Sequence, residues 1–155
     1  MNELSHEGRY RGPVRWPKHV SVKIEIPRWS FVKYADLPEG TRIEFISPLP
    51  APFNYGYCTE FLGGDGLPLD VVALGPRLAR GELRTLEVYG VAKFVDRGVV
   101  DDKLICGTSP PSPWQLRVVG LGLTAYAYLR RLVNRWRKEA GRTAFLGITR
   151  YCNVP

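Results

Sequence analysis

The sequence predicts a mainly β domain in which several short strands close into a small barrel, followed by a helix. Between residues 20 and 107, short segments alternate apolar and polar residues, as half-buried strands do. Proline and glycine separate these segments and supply the turns of a compact all-β unit. Between residues 113 and 140 the apolar residues recur at helical spacing instead. Together these patterns predict an α+β fold in a single domain of 155 residues.

The elements follow in order along the chain. Residues 1–18 are rich in glycine, proline and arginine, so we expect an arm on the surface rather than part of the barrel. Residues 20–107 should form the barrel, with proline or glycine at each strand boundary. The predicted strands are 20–26, 31–35, 41–46, 69–74, 84–94 and 103–107.

The helical segment, residues 113–140, opens with a capping signature. Ser112 is the expected N-cap, Pro113 takes the first helical position, and Gln115 stands three residues after the cap. An unbroken helix of this length would span about 40 Å, longer than so small a barrel.

A break is therefore predicted at Gly120-Leu121-Gly122, with Gly141 ending the main helix. Residues 142–155 should form a final strand or an extended tail. The apolar stripe expected to pack on the barrel consists of Leu116, Val119, Leu123, Tyr126, Leu129, Val133 and Trp136.

Composition restricts the class of protein. No run approaches the roughly 18 apolar residues that span a bilayer, and the first residues lack the order of a secretory signal. Cys58, Cys106 and Cys152 are odd in number and have no metal-ligand spacing, which is typical of reduced thiols. We therefore expect a cytoplasmic protein without membrane partners.

The net charge of +7 favours anionic partners. Basic residues gather in residues 9–33 and 130–142, where they could attract an anionic substrate or nucleic acid, or simply form solvated faces. No repeat of basic and aromatic residues supports base stacking, so nucleic acid is not the favoured partner.

Two carboxylates mark a candidate metal site. Asp65 and Asp70 flank a turn fixed by Gly66 and Pro68. Two neighbouring carboxylates repel each other unless a cation neutralises them. Mg²⁺ is coordinated by one or two carboxylates together with water and phosphate oxygens. The alternative interpretation is that both aspartates are solvent-facing turn residues.

Three motifs together resemble the family I soluble inorganic pyrophosphatases. Asn54-Tyr55-Gly56-Tyr57 leads into Gly64-Asp65-Gly66-Leu67-Pro68-Leu69-Asp70, where the family has Asn-Tyr-Gly-Tyr and Asp-Gly-Asp-Pro-x-Asp. Gly90-Val91-Ala92-Lys93 then leads to Asp96, and Asp101-Asp102-Lys103 follows a loop, in the family order. Upstream, Glu25 and Lys33 match the family's active-centre glutamate and phosphate-contacting lysine.

The resemblance covers about residues 20–105 and implies a five-stranded, OB-like closed barrel with a C-terminal helix packed outside. It implies hydrolysis of inorganic diphosphate with Mg²⁺ or another divalent metal, in a homo-oligomer. Catalytic roles are implied for Glu25, Tyr55 and Lys33, and phosphate contacts for Lys33, Tyr55, Lys103, Arg137 and Arg42. The implied metal ligands are Asp65, Asp70, Asp96 and Asp101.

Several positions depart from the family pattern. Leu67 stands where the family has the aspartate that takes the proton of the attacking water. Ala35 replaces a glutamate, and Ile43 aligns with a phosphate-binding arginine unless a register shift lets Arg42 serve. Trp136-Arg137 takes the place of a Tyr-Lys pair. We therefore expect a diphosphatase of reduced activity; the alternative is a homologue that binds metal and phosphate or diphosphate without efficient turnover.

Overall fold

The computed structural model describes residues 3–4, 10–11, 17–64 and 66–150, with side chains from residue 17 onward. The first two strands are short and pair with each other, β1 (Glu3–Leu4) with β2 (Tyr10–Arg11). The remaining elements are β3 (His19–Ile26), β4 (Val32–Leu37), β5 (Gly40–Ile46), β6 (Asn54–Leu62), β7 (Pro68–Ala73), β8 (Leu83–Asp96), β9 (Val99–Val100), β10 (Lys103–Gly107), α1 (Pro113–Trp136) and β11 (Ala144–Arg150).

Five strands close into a barrel, which confirms the predicted fold. The hydrogen-bonded order runs β3, β6, β7, β10, β8 and returns to β3, with β7 and β10 parallel and the other pairs antiparallel. Strand β11 continues the sheet along β8, and β4 pairs with β5 as a separate hairpin. The closed path leaves these five strands with neighbours on both sides.

The barrel wall buries apolar side chains on both of its faces. Because successive strand residues point to opposite sides, Leu69 and Val71 enter the barrel interior while Val72 points outward. The outward residues form a second core with the helix, to which Val119 and Leu123 contribute. A catalytic or binding group on these strands must therefore lie on the outer face, where the helix leaves it uncovered.

The helix departs from the prediction in its middle and at its end, since it finishes at Trp136 and not at the predicted residue 140 before Gly141. Its start is as expected, with Ser112 and Gln115 forming a reciprocal capping box, but it runs unbroken through Gly120 and Gly122, so the predicted break is wrong. A Cβ on Gly122 would lie 3.0 Å from ring atoms of Phe53 and Pro52. That glycine lets the helix approach the outer face closely; it does not interrupt it.

The predicted stripe is only partly buried. Val119 and Leu123 lie in the outer core as expected, but Trp136 is 84% exposed and does not pack on the barrel. Asn134 takes the inward position in the last turn, where it bonds Asp96 and Thr143. A polar anchor thus replaces the expected apolar one.

Each of the six predicted strands is present, and its observed ends lie within three residues of the predicted ones. Strand β6 was not predicted. Residues 144–150 form the final strand, and residues 151–155 lie outside the described residues, as does most of the predicted arm at 1–18. Within the described chain, no helix has the length and apolar content required to cross a membrane.

Strands β3 and β6 approach unusually closely beside a bulge. Their register shifts between Ile24 and Ile26, which leaves Glu25 as the extra residue. A Cβ on Gly56, opposite this bulge, would overlap the carbonyl oxygen of Lys23. Only glycine fits there, so Gly56 sets the position of Glu25.

We expect Gly56→Ala to lower the free energy of unfolding by about 2 kcal/mol or more, because the new methyl group meets backbone that cannot move aside. Gly120→Ala is the control, because its Cβ would meet nothing nearer than 3.7 Å and alanine favours helix by up to about 1 kcal/mol. Urea unfolding measures both. Equal effects would contradict the close approach of β3 and β6.

Candidate functional site

Three polar residues project from adjacent strands onto the outer face of the barrel. Asp70 on β7 alternates with the interior residues Leu69 and Val71. Lys103 is the direct partner of Asp70 across the parallel β7–β10 pair. Tyr55 on β6 packs against the outer core. The pleat and the register thus bring these side chains to one point.

The ammonium of Lys103 lies at the centre of this group of side chains. Its Nζ lies 2.9 Å from Oδ2 of Asp70 and 3.0 Å from Oδ2 of Asp101, and the lysine side chain is only 1% exposed. The hydroxyl of Tyr55 donates to the same Asp70 oxygen over 2.7 Å. We call Tyr55, Asp70, Asp101 and Lys103 the Lys103 cluster. Asp70 and Asp101, two of the implied metal ligands, thus lie on either side of one ammonium.

Burial and charge oppose each other at Lys103. Desolvation alone would lower the pKa of its ammonium, but the carboxylates of Asp70 and Asp101 outweigh it and raise the pKa well above its ordinary value. The ammonium also faces three aromatic rings, with centroids at 5.1 Å for Phe94, 5.6 Å for Tyr55 and 6.0 Å for Tyr126. Lys103 is therefore a permanently charged group held in a fixed place.

Tyr55 remains a hydrogen-bond donor. Burial, followed by the charge of Asp70, raises the pKa of its phenol well above the ordinary value. The protonated hydroxyl fixes Oδ2 of Asp70, while Oδ1 of Asp70 receives no hydrogen bond from the described residues. One oxygen of this carboxylate is thus fully engaged and the other is available.

A cavity of about 300 Å³ opens beside the bulge of β3. Burial raises the pKa of Glu25, and Lys33 only partly offsets that rise. The pKa of Lys33 is raised because Glu25 and Glu44 outweigh its desolvation; Glu44 lies 3.3 Å away. The cavity is lined by Lys23, Ile24, Glu25, Lys33, Tyr34, Ala35, Asp36, Glu44, Tyr57, Arg80 and Gly81.

The cavity and the Lys103 cluster are electrostatically coupled. The charge of Asp70 contributes to the raised pKa values of both Glu25 and Lys33. Across β6 and β7, Tyr57 on the cavity wall is the direct partner of Asp70. The cavity and the Lys103 cluster therefore adjoin where Tyr57 pairs with Asp70, and together we call them the polar region.

Asp96 lies outside the Lys103 cluster and is bound by side chains of the helix and of the segment before β11. Its Oδ2 accepts from Arg130 over 2.7 Å, and its Oδ1 accepts from Thr143 over 2.8 Å and from Asn134 over 3.1 Å. Although burial acts to raise the pKa of this carboxyl, those hydrogen bonds lower it below the ordinary value. Asp96 thereby ties the end of β8 to the helix and to the segment before β11.

The other predicted residues are dispersed. Arg42 is exposed on β5 opposite Ala35, and Arg137 is exposed at the C-cap of the helix. Neither lines the cavity. Asp65 lies outside the described residues, so its predicted role as a metal ligand stays a prediction.

Sequence analysis did not identify two cavity cations or the role of Asp102. Arg80 reaches the cavity from the loop before β8, held by Asp36 at 2.7 Å and stacked 5.0 Å from the ring centre of Tyr34. Asp102 is buried and accepts from the amide of Phe94 and the ammonium of Lys93. The second cavity cation is Lys23, which faces outward on β3 between the interior residues Val22 and Ile24. The alternation of apolar and polar residues along this strand could have predicted its outward position.

The donor chemistry fits a divalent cation that is shared with a ligand. Across residues 17–64 and 66–150, no three His, Cys, Asp or Glu side chains converge to hold an ion by themselves. Mg²⁺ needs only one or two carboxylates when water and phosphate oxygens complete its shell. The available oxygen of Asp70, with Asp101 beside it, meets that requirement. At Asp96, a cation would have to displace the Arg130 guanidinium.

Comparison with known proteins gives a consistent result. The family model described as inorganic pyrophosphatase matches residues 22–114. A soluble inorganic pyrophosphatase 2 of Chlamydomonas reinhardtii is 42% identical over 96 residues, which are 57% of this chain and 49% of that protein. An inorganic pyrophosphatase of Aquifex pyrophilus is 33% identical over 57% of this chain and 53% of its own. The chain thus spans about half the length of these curated relatives.

Solved structures agree with the fold. The inorganic pyrophosphatase from Neisseria gonorrhoeae has a TM-score of 0.67 at 26% identity, covering 86% of this chain and 83% of that one. The inorganic pyrophosphatase from Thermus thermophilus has a TM-score of 0.70 at 19% identity, covering 94% and 90%. At such low identity, the second likeness shows the fold alone.

We expect Asp96→Asn to destabilise the protein by about 1.5 to 3 kcal/mol at neutral pH, because Arg130 loses its charged acceptor. The pKa of Asp96 is lower in the folded than in the unfolded protein, so its contribution is present above the unfolded value near 3.9 and is lost as pH falls through the folded value. The difference in melting temperature between variant and wild type should shrink at acid pH. Asp36→Asn, at an exposed ion pair, is the control.

Proposed function

Because this chain belongs to the inorganic pyrophosphatase family, we propose that it hydrolyses inorganic diphosphate to phosphate with Mg²⁺ or a similar divalent cation. The single observation that carries the proposal is the Lys103 cluster, in which a buried ammonium lies between two carboxylates. Such an arrangement can present a fixed positive charge and carboxylate oxygens to the same ligand.

Each residue of the region has a proposed task. Lys33 holds phosphate oxygens, and Tyr55 keeps Asp70 oriented through its hydrogen bond. Lys103, whose side chain is 1% exposed, is also proposed to contact phosphate, which requires a neighbouring side chain to move aside. Asp70 and Asp101 hold the cation, with Asp65 as a further proposed ligand. When bound, Mg²⁺ neutralises phosphate charge and lowers the pKa of a coordinated water.

Glu25 is the residue best suited to handle a proton. Its position in the bulge of β3 is set by the close approach of Gly56 to β3. Burial raises its pKa, which brings the carboxylate nearer to the range in which it can accept a proton at neutral pH. We propose that it orients the attacking water and receives part of its proton.

Three predicted ligands would need rearrangement to act. Arg42 would have to turn from the exposed hairpin, Arg137 would have to turn from the helix end, and Asp96 would have to exchange its partners on the helix. Their roles stay proposals that rest on the family motif. The proposed homo-oligomer and cytoplasmic location have the same status.

A second function is favoured by one specific position. Leu67 is 62% exposed in the turn before β7, at the position of the family's proton-accepting aspartate. A leucine can neither accept a proton nor bind a cation. The alternative is therefore a protein that binds diphosphate or phosphate with a cation and turns it over slowly.

The first test is phosphate release from diphosphate by the wild-type protein, with Mg²⁺ and with chelator. We expect metal-dependent release, and we expect Lys103→Met to lower kcat/KM by about 10² to 10³ because a charge aimed at the ligand is lost. Lys93→Met is the matched control, since Lys93 forms its ion pair with Asp102 and not with a carboxylate of the Lys103 cluster.

Because Lys103→Met leaves two carboxylates without their cation, it can also destabilise the fold. Tyr55→Phe avoids this, because it removes only the hydroxyl that orients Asp70. It should lower activity while the melting temperature falls less than in Lys103→Met, because no buried charge is left unpaired. Activity that is unaffected in both variants would contradict the role of the Lys103 cluster.

Leu67→Asp distinguishes the enzyme from the binding protein. Restoring a carboxylate supplies a proton acceptor, worth about 10² to 10⁴ in rate where the rest of the site is intact. The added negative charge should also lower the melting temperature with chelator and restore it with Mg²⁺. No gain in rate, together with wild-type calorimetric binding of diphosphate, would favour the binding protein.

A further inference from the structure

Arg80 brings a guanidinium with unused hydrogen-bonding capacity to the cavity. It lies in the loop between β7 and β8, and its side chain is 31% exposed. Nη2 of Arg80 donates to Oδ1 of Asp36 over 2.7 Å, and the guanidinium lies 5.0 Å from the ring centre of Tyr34. Among the described residues, no other acceptor takes a hydrogen bond from this guanidinium. The remaining N–H groups of a planar donor fork are therefore left for a ligand.

The loop that carries Arg80 is fixed to the barrel on both sides of this residue. Before it, the buried side chain of Asn54 accepts from the amide of Leu78 over 2.8 Å. After it, the amide of Gly81 donates over 2.8 Å to the carbonyl of Ile24, next to the bulge of β3. The backbone thus holds the guanidinium beside the bulge before any ligand arrives, which is the condition for preorganised binding.

The ion pair with Asp36 leaves Arg80 available to an anion. The side chain of Asp36 is 63% exposed, and an exposed pair contributes little to stability because water screens both charges. The ring of Tyr34 restrains the plane of the guanidinium but uses none of its N–H groups in a hydrogen bond. A phosphate in the cavity can therefore share the guanidinium with the carboxylate or replace the carboxylate.

Position 43 gives this placement a chemical reason. Ile43 stands where the family has a phosphate-binding arginine, and Arg42 does not line the cavity, so β5 supplies no guanidinium to it. Tyr34 is the direct partner of Ile43 across β4 and β5, and direct partners place their side chains on the same side of a hairpin. By stacking on Tyr34, Arg80 brings a guanidinium from another loop to the neighbourhood of position 43.

We propose that Arg80 contacts the phosphate of the bound ligand and supplies, from the loop between β7 and β8, the guanidinium that β5 lacks. Lys33 lines the same cavity, so an anion there meets the point charge of an ammonium and the planar fork of a guanidinium together. The identity of the ligand, a diphosphate with its divalent cation, rests on the proposed function. The contact itself does not require turnover.

Calorimetric binding of methylenediphosphonate, whose P–C–P bridge cannot be hydrolysed, tests the proposal on the full chain with Mg²⁺. Arg80→Met should raise Kd about tenfold to hundredfold, because a charge-assisted contact is lost. Arg77→Met is the matched control, since Arg77 is exposed on the same loop and does not line the cavity. Its Kd should stay within about twofold of wild type at physiological salt. Neither melting temperature should change much, because the Arg80 pair is exposed.

A rescue variant distinguishes a ligand contact from a loss of net charge. Ile43→Arg in the Arg80→Met background should recover most of the lost affinity, because position 43 lies beside the same ring. Leu146→Arg in that background is the control, since Leu146 is exposed on β11 and does not line the cavity. It restores the net charge alone and should recover no affinity.

Equal Kd values for wild type and Arg80→Met overturn the proposal, as does an equal loss in Arg77→Met or a wild type that does not bind the analogue. Recovery by Leu146→Arg that matches Ile43→Arg, or no recovery in Ile43→Arg, overturns the equivalence of Arg80 with position 43. Turnover is measured separately, as phosphate release from diphosphate. A wild type without release, whose binding still depends on Arg80, contradicts the proposed hydrolysis and supports the role of Arg80. Release together with binding that is independent of Arg80 does the reverse.

Discussion

The structure depends on keeping one ammonium charged inside the wall of a small barrel. Lys103 is fully buried, and only the carboxylates of Asp70 and Asp101 make its charge tolerable there. That requirement fixes the register of β7 against β10, because one residue of slip would send Lys103 into the apolar interior. It also explains the aromatic surroundings, since rings accept a cation at less cost than aliphatic carbon does.

The same wall serves packing and chemistry through strand alternation. Interior residues such as Val71 and Leu104 close the barrel, while their neighbours face either the helix or the polar region. The helix covers one part of the outer face, held close by Gly122 and tied at its end through Asn134 and Asp96. The boundary of that cover determines where a ligand can reach the Lys103 cluster.

Sequence patterns predicted the features that depend on residues close together in the chain. They missed the features that depend on contacts between residues far apart in the sequence. The barrel and the capping box at Ser112 follow from alternation and turn residues. The unbroken helix does not, because the role of Gly122 depends on Phe53, which lies far away in sequence. The partners of Asp96 were hidden for the same reason, since Arg130, Asn134 and Thr143 come from later elements.

For the proposed reaction, the charge balance of the polar region favours one form of the substrate. The molecule as a whole carries +7 and draws anions. At the Lys103 cluster, two carboxylates outnumber one ammonium, and in the cavity Lys23, Lys33 and Arg80 are balanced by Glu25, Asp36 and Glu44. A bare diphosphate would therefore arrive at a region with no excess of positive charge and would face Asp70 and Asp101 directly. A diphosphate that brings its own divalent cation relieves that repulsion and uses the available oxygen of Asp70. For the proposed reaction, the charges of the described residues favour the metal complex of diphosphate over the free anion.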